Sequence, residues 1–342
     1  PQGPPQLIKQ NMDRLLPLGF TRDGVLYYAH VVFENSGDVY VASLEPTTRT
    51  TLEAPEKLVQ RFEGWNTSPA WSPDGRFLAY VSQRGPLPFG VGTAALVIRN
   101  VSTGEERELW PKLESLLRPR YSTPRWAPDG KSILLTGADL KGRRDLFLVD
   151  VQSDKVTPLS VPPIGDGAGV FESPCWSPDG KKIYYQRRNR GIFAFDLGSG
   201  KEREIFLGHA YNPAVSPDRK LLAFNDDKTI FVMPTEGGNP RAVAKVGEAE
   251  MIGERNGLAW TPDGKHVFFV KGKPAEGYGS AQLWQVAVDG GEPRPVGIAM
   301  YNVRDLAPHP RELRLAFTAG ASGHVAEVWV LENFLPALKA AK

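Results

Sequence analysis

The chain of 342 residues is 41% hydrophobic and 23% charged and carries a formal net charge of +2, a balance that supports a packed core and does not suit a disordered segment. No run of Lys and Arg exceeds two residues, so the basic footprint of a nucleic-acid binder is missing, and no apolar run approaches the roughly 18 residues a membrane helix needs. The single cysteine, Cys175, excludes an internal disulfide and a cysteine-based metal cluster; its neighbour Trp176 predicts a buried, inert thiol.

Taken in chain order, the elements repeat. Residues 6–24, QLIKQNMDRLLPLGFTRDG, align without a gap to residues 57–75, KLVQRFEGWNTSPAWSPDG, so the chain opens on what reads as the fourth strand of a unit. The first unit continues to a third strand at DVYVASL (38–44). The second reads TSPAWSPDGRFLAYVS from Thr67 and ALVIRNV (95–101), and the third STPRWAPDGKSILLTG from Ser122 and DLFLVDV (145–151). The fourth reads ESPCWSPDGKKIYYQ from Glu172 and GIFAFDL (191–197), and the fifth YNPAVSPDRKLLAFND from Tyr211 and TIFVMPT (229–235). The sixth reads NGLAWTPDGKHVFFVK from Asn256 and QLWQVAV (282–288); a degenerate seventh, LAPHPRELRLAFTAG, runs to EVWVLEN (327–333).

The equivalent positions Phe20, Trp71, Trp126, Trp176, Val215, Trp260 and Pro308 are 39 to 55 residues apart, the period of a repeat architecture. In the Pro-Asp-Gly step, Pro presets φ, Asp bonds nearby backbone and Gly accepts φ > 0, which makes a hairpin turn. Each unit then supplies four strands. The first unit lacks a preceding third strand and the last lacks a fourth; a linear stack would expose both edges, whereas a ring cancels them. The expectation is an all-β, single-domain, seven-bladed β-propeller of four-stranded antiparallel blades over residues 1–342. Its blades fall near 15–62, 63–113, 119–163, 169–208, 209–247, 253–298 and 299–334, the last closed by the N-terminal strand at 5–10, with FLPALKAAK outside the ring. A chain opening on Pro1 is expected of an excised or processed piece.

The Trp-Ser-Pro-Asp-Gly units, with their continuations LAYVS, IYYQ and LAFTAG, resemble the TolB-like propeller repeat family of bacteria over nearly the whole chain. The resemblance implies the fold and, more loosely, a sensing or partner-binding module of a larger signalling or envelope protein, in a periplasmic or other extracytoplasmic setting with a cytoplasmic one left open. Family members with an added N-terminal domain resemble six-bladed rings; the seven units here set this chain apart from them.

Asp23, Asp74, Asp129, Asp179, Asp218 and Asp263 occur once per unit at a fixed offset, which places them around a rim as turn residues and not at a common catalytic point. The Trp positions read as blade core. His30, His209, His266, His309 and His324 have no zinc-type spacing, and GVGTAA (90–95) follows no strand and opens no helix, unlike a dinucleotide fingerprint. No GxSxG elbow exists, GASGH (320–324) being one residue out of pattern. No metal, no cofactor and no catalytic residue is therefore expected.

Strand alternation puts the segments before each Trp position around one opening. There they bring Arg14, Trp65, Asn66, Arg120, Tyr121, Phe171, Glu172, His209, Tyr211, Asn212, Glu254, Arg255, Asn256, Tyr301, Asn302 and Arg304, the aromatic, Arg and Asn mixture that recognition sites favour; the same residues would also serve as solvated loops. The candidate ligand-binding set is Trp65, Asn66, Arg120, Tyr121, Glu172, His209, Tyr211, Asn212, Glu254, Arg255, Tyr301 and Arg304, beneath long Gly/Pro-rich loops at 84–93 and 271–280 expected to form mobile walls. The function expected is a non-enzymatic, monomeric propeller binding a peptide, protein segment or small ligand. The alternatives are a substrate-gating propeller of a prolyl-oligopeptidase-like peptidase without its hydrolase, a propeller hydrolase not visible in the motifs, and a structural scaffold.

Overall fold

The computed structural model describes residues 15–20, 25–31, 37–59, 66–84, 93–113, 124–161, 171–187, 190–253, 256–273, 281–320 and 326–331, whose regular elements are all β-strands. First come β1 (Leu15–Phe20), β2 (Leu26–Val31), β3 (Asp38–Ser43) and β4 (Glu56–Lys57). Four self-contained antiparallel sheets of four strands follow. They are β5 (Asn66–Trp71) to β8 (Glu106–Leu109) through β6 (Phe77–Arg84) and β7 (Thr93–Asn100); then β9 (Arg125–Trp126), β10 (Ser132–Ala138), β11 (Arg144–Asp150) and β12 (Val156–Pro158). The third holds β13 (Phe171–Trp176), β14 (Lys182–Arg187), β15 (Gly191–Asp196) and β16 (Lys201–Leu207), and the fourth β17 (Tyr211–Val215), β18 (Leu221–Asn225), β19 (Thr229–Pro234) and β20 (Arg241–Lys245). The chain ends with β21 (Met251–Ile252), β22 (Leu258–Trp260), β23 (His266–Gly272), β24 (Ala281–Ala287), β25 (Arg294–Pro308), β26 (Arg314–Gly320) and β27 (Ala326–Leu331).

The described strands do not form the seven four-stranded blades that the repeat count predicts. Strand β25 is one continuous element of 15 residues. Its first part pairs with β24, up to Ala281 opposite Met300, and its second part pairs with β26 from Tyr301 opposite Gly320 to Pro308 opposite Leu315. On the far side of β26 lies not β27 but β3, in register from Arg314 opposite Ser43 to Ala319 opposite Asp38, with β4 beyond it. Strand β27 instead pairs with β2, and β1, β2 and β27 make a separate three-stranded sheet. The expected unit 15–62 is thus divided between two sheets; the closing strand expected at residues 5–10 lies outside the described residues.

The cause is visible in the packing. The large core clusters each join two successive sheets, and the series returns to its start. Tyr80 and Leu78 of β6 pack with Val39 and Ala316, whereas Ala79, pointing the other way, packs with Ile133 and Phe147. Leu134 packs with Ile183 and Phe193; Tyr184 with Leu222 and Phe224; Ala223 with Val267 and Phe269; and Phe268 with Leu315 and Phe317. Central strands such as β6, β10 and β23 are therefore buried on both faces, which is why their sequences are continuous apolar runs and not strict alternations.

Tryptophan indoles tie neighbouring sheets together. Trp126 Nε1 donates to the Ala70 carbonyl at 3.0 Å, Trp176 Nε1 to Arg125 at 3.3 Å and Trp260 Nε1 to Ala214 at 2.8 Å, each acceptor being the residue before the equivalent position of the preceding sheet. Trp71 Nε1 donates to Ala307 at 3.0 Å, the residue before Pro308. The second unit is thereby fastened directly to the last, and the β1–β2 hairpin, which has Phe20 where an indole would stand, is bypassed.

The Pro-Asp-Gly turns close each first hairpin by a fixed pattern. Ser72 Oγ donates to Asp74 Oδ1 at 2.6 Å and accepts from the Phe77 amide at 2.9 Å, while Asp74 Oδ1 accepts from the Arg76 amide. The pairs Ser177–Asp179, Ser216–Asp218 and Thr261–Asp263 repeat it. Gly75 takes φ +77°, and a Cβ there would stand 2.3 Å from His309 Nε2, so glycine is required at this turn. In the last unit His309 stands at the serine position and Arg311 at that of the aspartate, and His309 Nδ1 accepts from the Glu312 amide at 2.9 Å.

Replacing Trp126 by Phe leaves the Ala70 carbonyl without its partner in a buried interface and is expected to cost about 1–3 kcal/mol in denaturant unfolding. The Ser72 hydroxyl, followed by Arg76, holds the Asp74 carboxyl down at about 2 against an ordinary 3.8. A depressed carboxyl stabilises the fold above its unfolded value and loses that contribution as pH falls through its folded value. Thermal unfolding between about pH 4 and pH 2 is therefore expected to show a shallower acid loss in Asp74→Asn than in the parent.

Candidate binding site in the channel

In a propeller the first strand of each sheet lines the central channel. Here these are β5, β9, β13, β17, β22 and the second half of β25. Several carry a non-glycine residue in the left-handed region: Ser68 (φ 58°), Ser173 (47°), Asn212 (53°) and Asp305 (53°), with Asn256 (47°) just before β22 and Asn302 (53°) at the bend of β25. Strand register slips at these points, between Thr67 and Ala70, Glu172 and Cys175, Tyr211 and Ala214, and Arg304 and Ala307. Such bulges re-aim side chains, and small polar residues tolerate the conformation best.

Asp305, 5% exposed, is the hub. Its Oδ1 accepts from Asn256 Nδ2 at 3.1 Å, and its Oδ2 from Thr318 Oγ1 at 3.0 Å and Ser68 Oγ at 3.3 Å, with Arg304 Nε at 3.5 Å. Asn256 Oδ1 in turn accepts from Arg125 Nη2 at 3.1 Å, and Arg125 Nη1 donates to the Pro124 carbonyl. Strands β9 and β22 are not neighbours: β13 and β17 separate them on one side, β5 and β25 on the other. The Arg125–Asn256 contact therefore spans the channel. Burial pulls the Arg125 guanidinium below its usual range, opposed by the Asp305 charge, and burial pushes the Cys175 thiol up to about 12 despite the nearby Arg125. At neutral pH Cys175 is protonated and is no thiolate nucleophile.

The residues expected at the mouth divide into three groups. Trp65, Arg120, Tyr121, Glu254 and Arg255, with Arg14 and most of the two long loops, lie outside the described residues. Asn66, Asn212 and Arg304 are buried and bonded to the scaffold: Asn66 Nδ2 donates to Asp38 Oδ1 at 3.0 Å and its Oδ1 accepts from Ser82 Oγ at 2.6 Å; Asn212 Nδ2 donates to Asn225 Oδ1 and the Gly253 carbonyl; Arg304 sits against Asp305. Glu172, Tyr211 and Tyr301 are half-buried and His209 is exposed, with the His209 and Tyr211 rings edge to face at 5.6 Å.

Sequence reasoning missed Arg125, Ser68, Thr318 and Asp305, although a signal for two of them exists. The residue before the Trp position is Gly19, Ala70, Cys175, Ala214, Ala259 or Ala307 in the other units and Arg125 in the third. Three positions before it stand Ser68, Thr123, Ser173, Asn212 and Gly257, and only the last unit has an acid, Asp305. A lone cation and a lone acid at channel-lining repeat positions mark a paired site.

The TolB beta propeller domain matches residues 68–225. The chain is 32% identical to the uncharacterized peptidase YuxL of Bacillus subtilis over 171 residues, which is 48% of this chain and 22% of that protein, and so spans well under two thirds of that relative. It is 26% identical to the uncharacterized protein Atu1656 of Agrobacterium fabrum over 259 residues, 61% of this chain and 85% of that protein. Among solved structures, the putative TolB from Agrobacterium tumefaciens shares the fold with a TM-score of 0.64 at 18% identity, over 84% of this chain and 100% of that one. Residues 68–225 thus carry the TolB beta propeller domain, and the chain as a whole shares the propeller fold.

Proposed function

We propose that the chain is a non-enzymatic recognition propeller, a ring of six blades in which β3 and β4 complete the blade begun by the second half of β25 and β26. It acts as a monomeric module of a larger extracytoplasmic protein and binds a peptide, protein segment or small ligand at the mouth that His209, Tyr211, Glu172 and Tyr301 border. The observation that carries this reading is the commitment of the channel's reactive groups to each other. Asp305 is saturated with donors, Arg125 holds Asn256 across the gap, and Cys175 is protonated. Groups so committed to each other favour docking on the rim, where exposed and half-buried aromatics remain, over chemistry inside the channel.

A second reading, a gating propeller of a peptidase, is favoured by one observation: the match to the uncharacterized peptidase YuxL of B. subtilis covers 22% of that protein's length. The purified chain is expected to release no product from peptidase, esterase, glycosidase or lactonase substrates. Turnover abolished by one substitution in the channel would reverse the assignment.

Two further outcomes separate the parts of the proposal. Residues 37–320 alone are expected to unfold in one cooperative transition, because the six-blade ring is complete without β1, β2 and β27; a chain that fails to fold when so trimmed would restore those strands to the ring. Against the tightest peptide selected from a displayed random library, Tyr211→Ala and Tyr121→Ala are each expected to cost at least about 2 kcal/mol of binding, while Asp129→Ala in a hairpin turn lowers stability and leaves affinity unchanged. Silent tyrosine substitutions would remove the mouth from consideration.

A further inference from the structure

On the face that carries the Pro-Asp-Gly turns, opposite the mouth, a cleft of about 280 Å³ opens between the β3–β4 turn and the sheet of β23, β24 and β25. Strand pairing dictates its lining. His266 lies opposite Ala287, and Arg294 opposite Gln285; since 285 and 287 share a face, His266, Gln285 and Arg294 all point the same way. Thr48 and Arg49 cover them from the neighbouring sheet. The β24–β25 turn contributes Gly290 and Gly291, and nothing lies within 4 Å of where a Gly291 Cβ would stand.

This wall is anchored on one side and unsatisfied on the other. Arg49 Nη2 is bound to Asp263 Oδ2 at 2.8 Å and Gln285 Nε2 donates to the Thr48 carbonyl at 2.7 Å. Yet Arg49 Nε, Gln285 Oε1 and His266 Nδ1 are buried atoms with no hydrogen-bond partner, and Gln285 is only 4% exposed. A buried donor or acceptor left unpaired costs about 1–3 kcal/mol, so three on residues that line one cleft call for an occupant. Burial, then the Arg49 charge, holds the His266 imidazole below its usual range and so neutral, with Lys265 and Arg294 adding to the same effect and Asp263 opposing it.

The occupant's chemistry follows from these valences. Gln285 Oε1 needs a donor, Arg49 Nε needs an acceptor, and Arg294 at the rim adds a cation that pairs with carboxylate geometry. An ammonium as the donor would set a positive charge between two guanidiniums; a hydroxyl would not. We propose that this cleft is a binding site for a small hydroxycarboxylate, its carboxylate held by Arg49 Nε and Arg294 and its hydroxyl donating to Gln285 Oε1. The volume sits near the lower end of the range for ligand pockets, suited to an acid of sugar size.

Isothermal titration of the full chain with sodium gluconate, with glucose and with inorganic phosphate tests the assignment. Gluconate is expected to bind at one site, glucose to give no measurable heat, and phosphate to bind at least tenfold more weakly. Arg294→Ala, at an exposed position, is expected to weaken gluconate at least tenfold at an unchanged melting temperature, and Gln285→Glu, which sets an anion against both the ligand and the Thr48 carbonyl, to abolish binding and lower the melting temperature. Tyr211→Ala should leave gluconate binding untouched, so that this site and the mouth stand or fall separately. Absence of gluconate binding, equal binding of glucose, tighter binding of phosphate, or silence of both cleft substitutions would overturn the proposal.

Discussion

The hydrogen bond from the Trp71 indole to the Ala307 carbonyl decides how the two ends of this chain meet. The same indole-to-carbonyl step is taken by Trp126, Trp176 and Trp260 onto the sheet before each of them, and in those cases it joins neighbours in sequence. At Trp71 it joins residues 236 apart. His309 packs edge-on against the Trp71 ring at 4.7 Å and Arg314 lies over it at 5.5 Å, so the last unit is shaped around the first complete one. Once that contact forms, β26 must find its next partner among strands near the N-terminus, and β3 supplies it. Tyr40 stacks on Phe317 at 6.0 Å, and Asp38 gains the Lys57 ammonium at 3.0 Å.

The motif grammar made the blades legible and left their closure ambiguous. Trp-Ser-Pro-Asp-Gly specifies a turn whose every polar atom has a local partner, so the hairpins could be placed from the sequence to within a residue or two. Strand choice at the ends is another matter. DVYVASL and EVWVLEN are both third-strand sequences, and nothing within either says which second strand it flanks. That is settled by non-local packing, where Phe20 lacks the indole that Trp71 brings to Ala307. The site was legible in the same uneven way. Asn212 and Asn66 were recognised as channel residues, but amides in a bulged strand bind backbone and neighbours as readily as ligand, and here they do. Arg125 and Asp305 carried the stronger signal, since each breaks a column of small residues, but the signal appears only when the units are stacked in register.

The polar channel has a physical cost that constrains what it can do. The Asp305 carboxyl at 5% exposure is tolerable only because several donors surround it, and removing any one of them would leave a buried polar group short of a partner. Groups so tightly satisfied hold one geometry and resist rearrangement.

The cleft near Arg49 belongs to the seam and not to any one unit. Its two walls come from residues more than 200 positions apart, joined by Arg49 to Asp263, Gln285 to the Thr48 carbonyl and the Thr51 amide to the Val296 carbonyl at 2.8 Å. Gly297 permits that last approach, because a Cβ there would stand 2.7 Å from Thr51 Oγ1. The cleft exists only while β3 and β4 are docked against the C-terminal sheets. Any molecule that binds there binds the closed ring and not the open chain, and by mass action it adds its binding free energy to closure. The seam of a circular fold, where its two ends must find each other, is thus also a place where unsatisfied polar atoms have been kept.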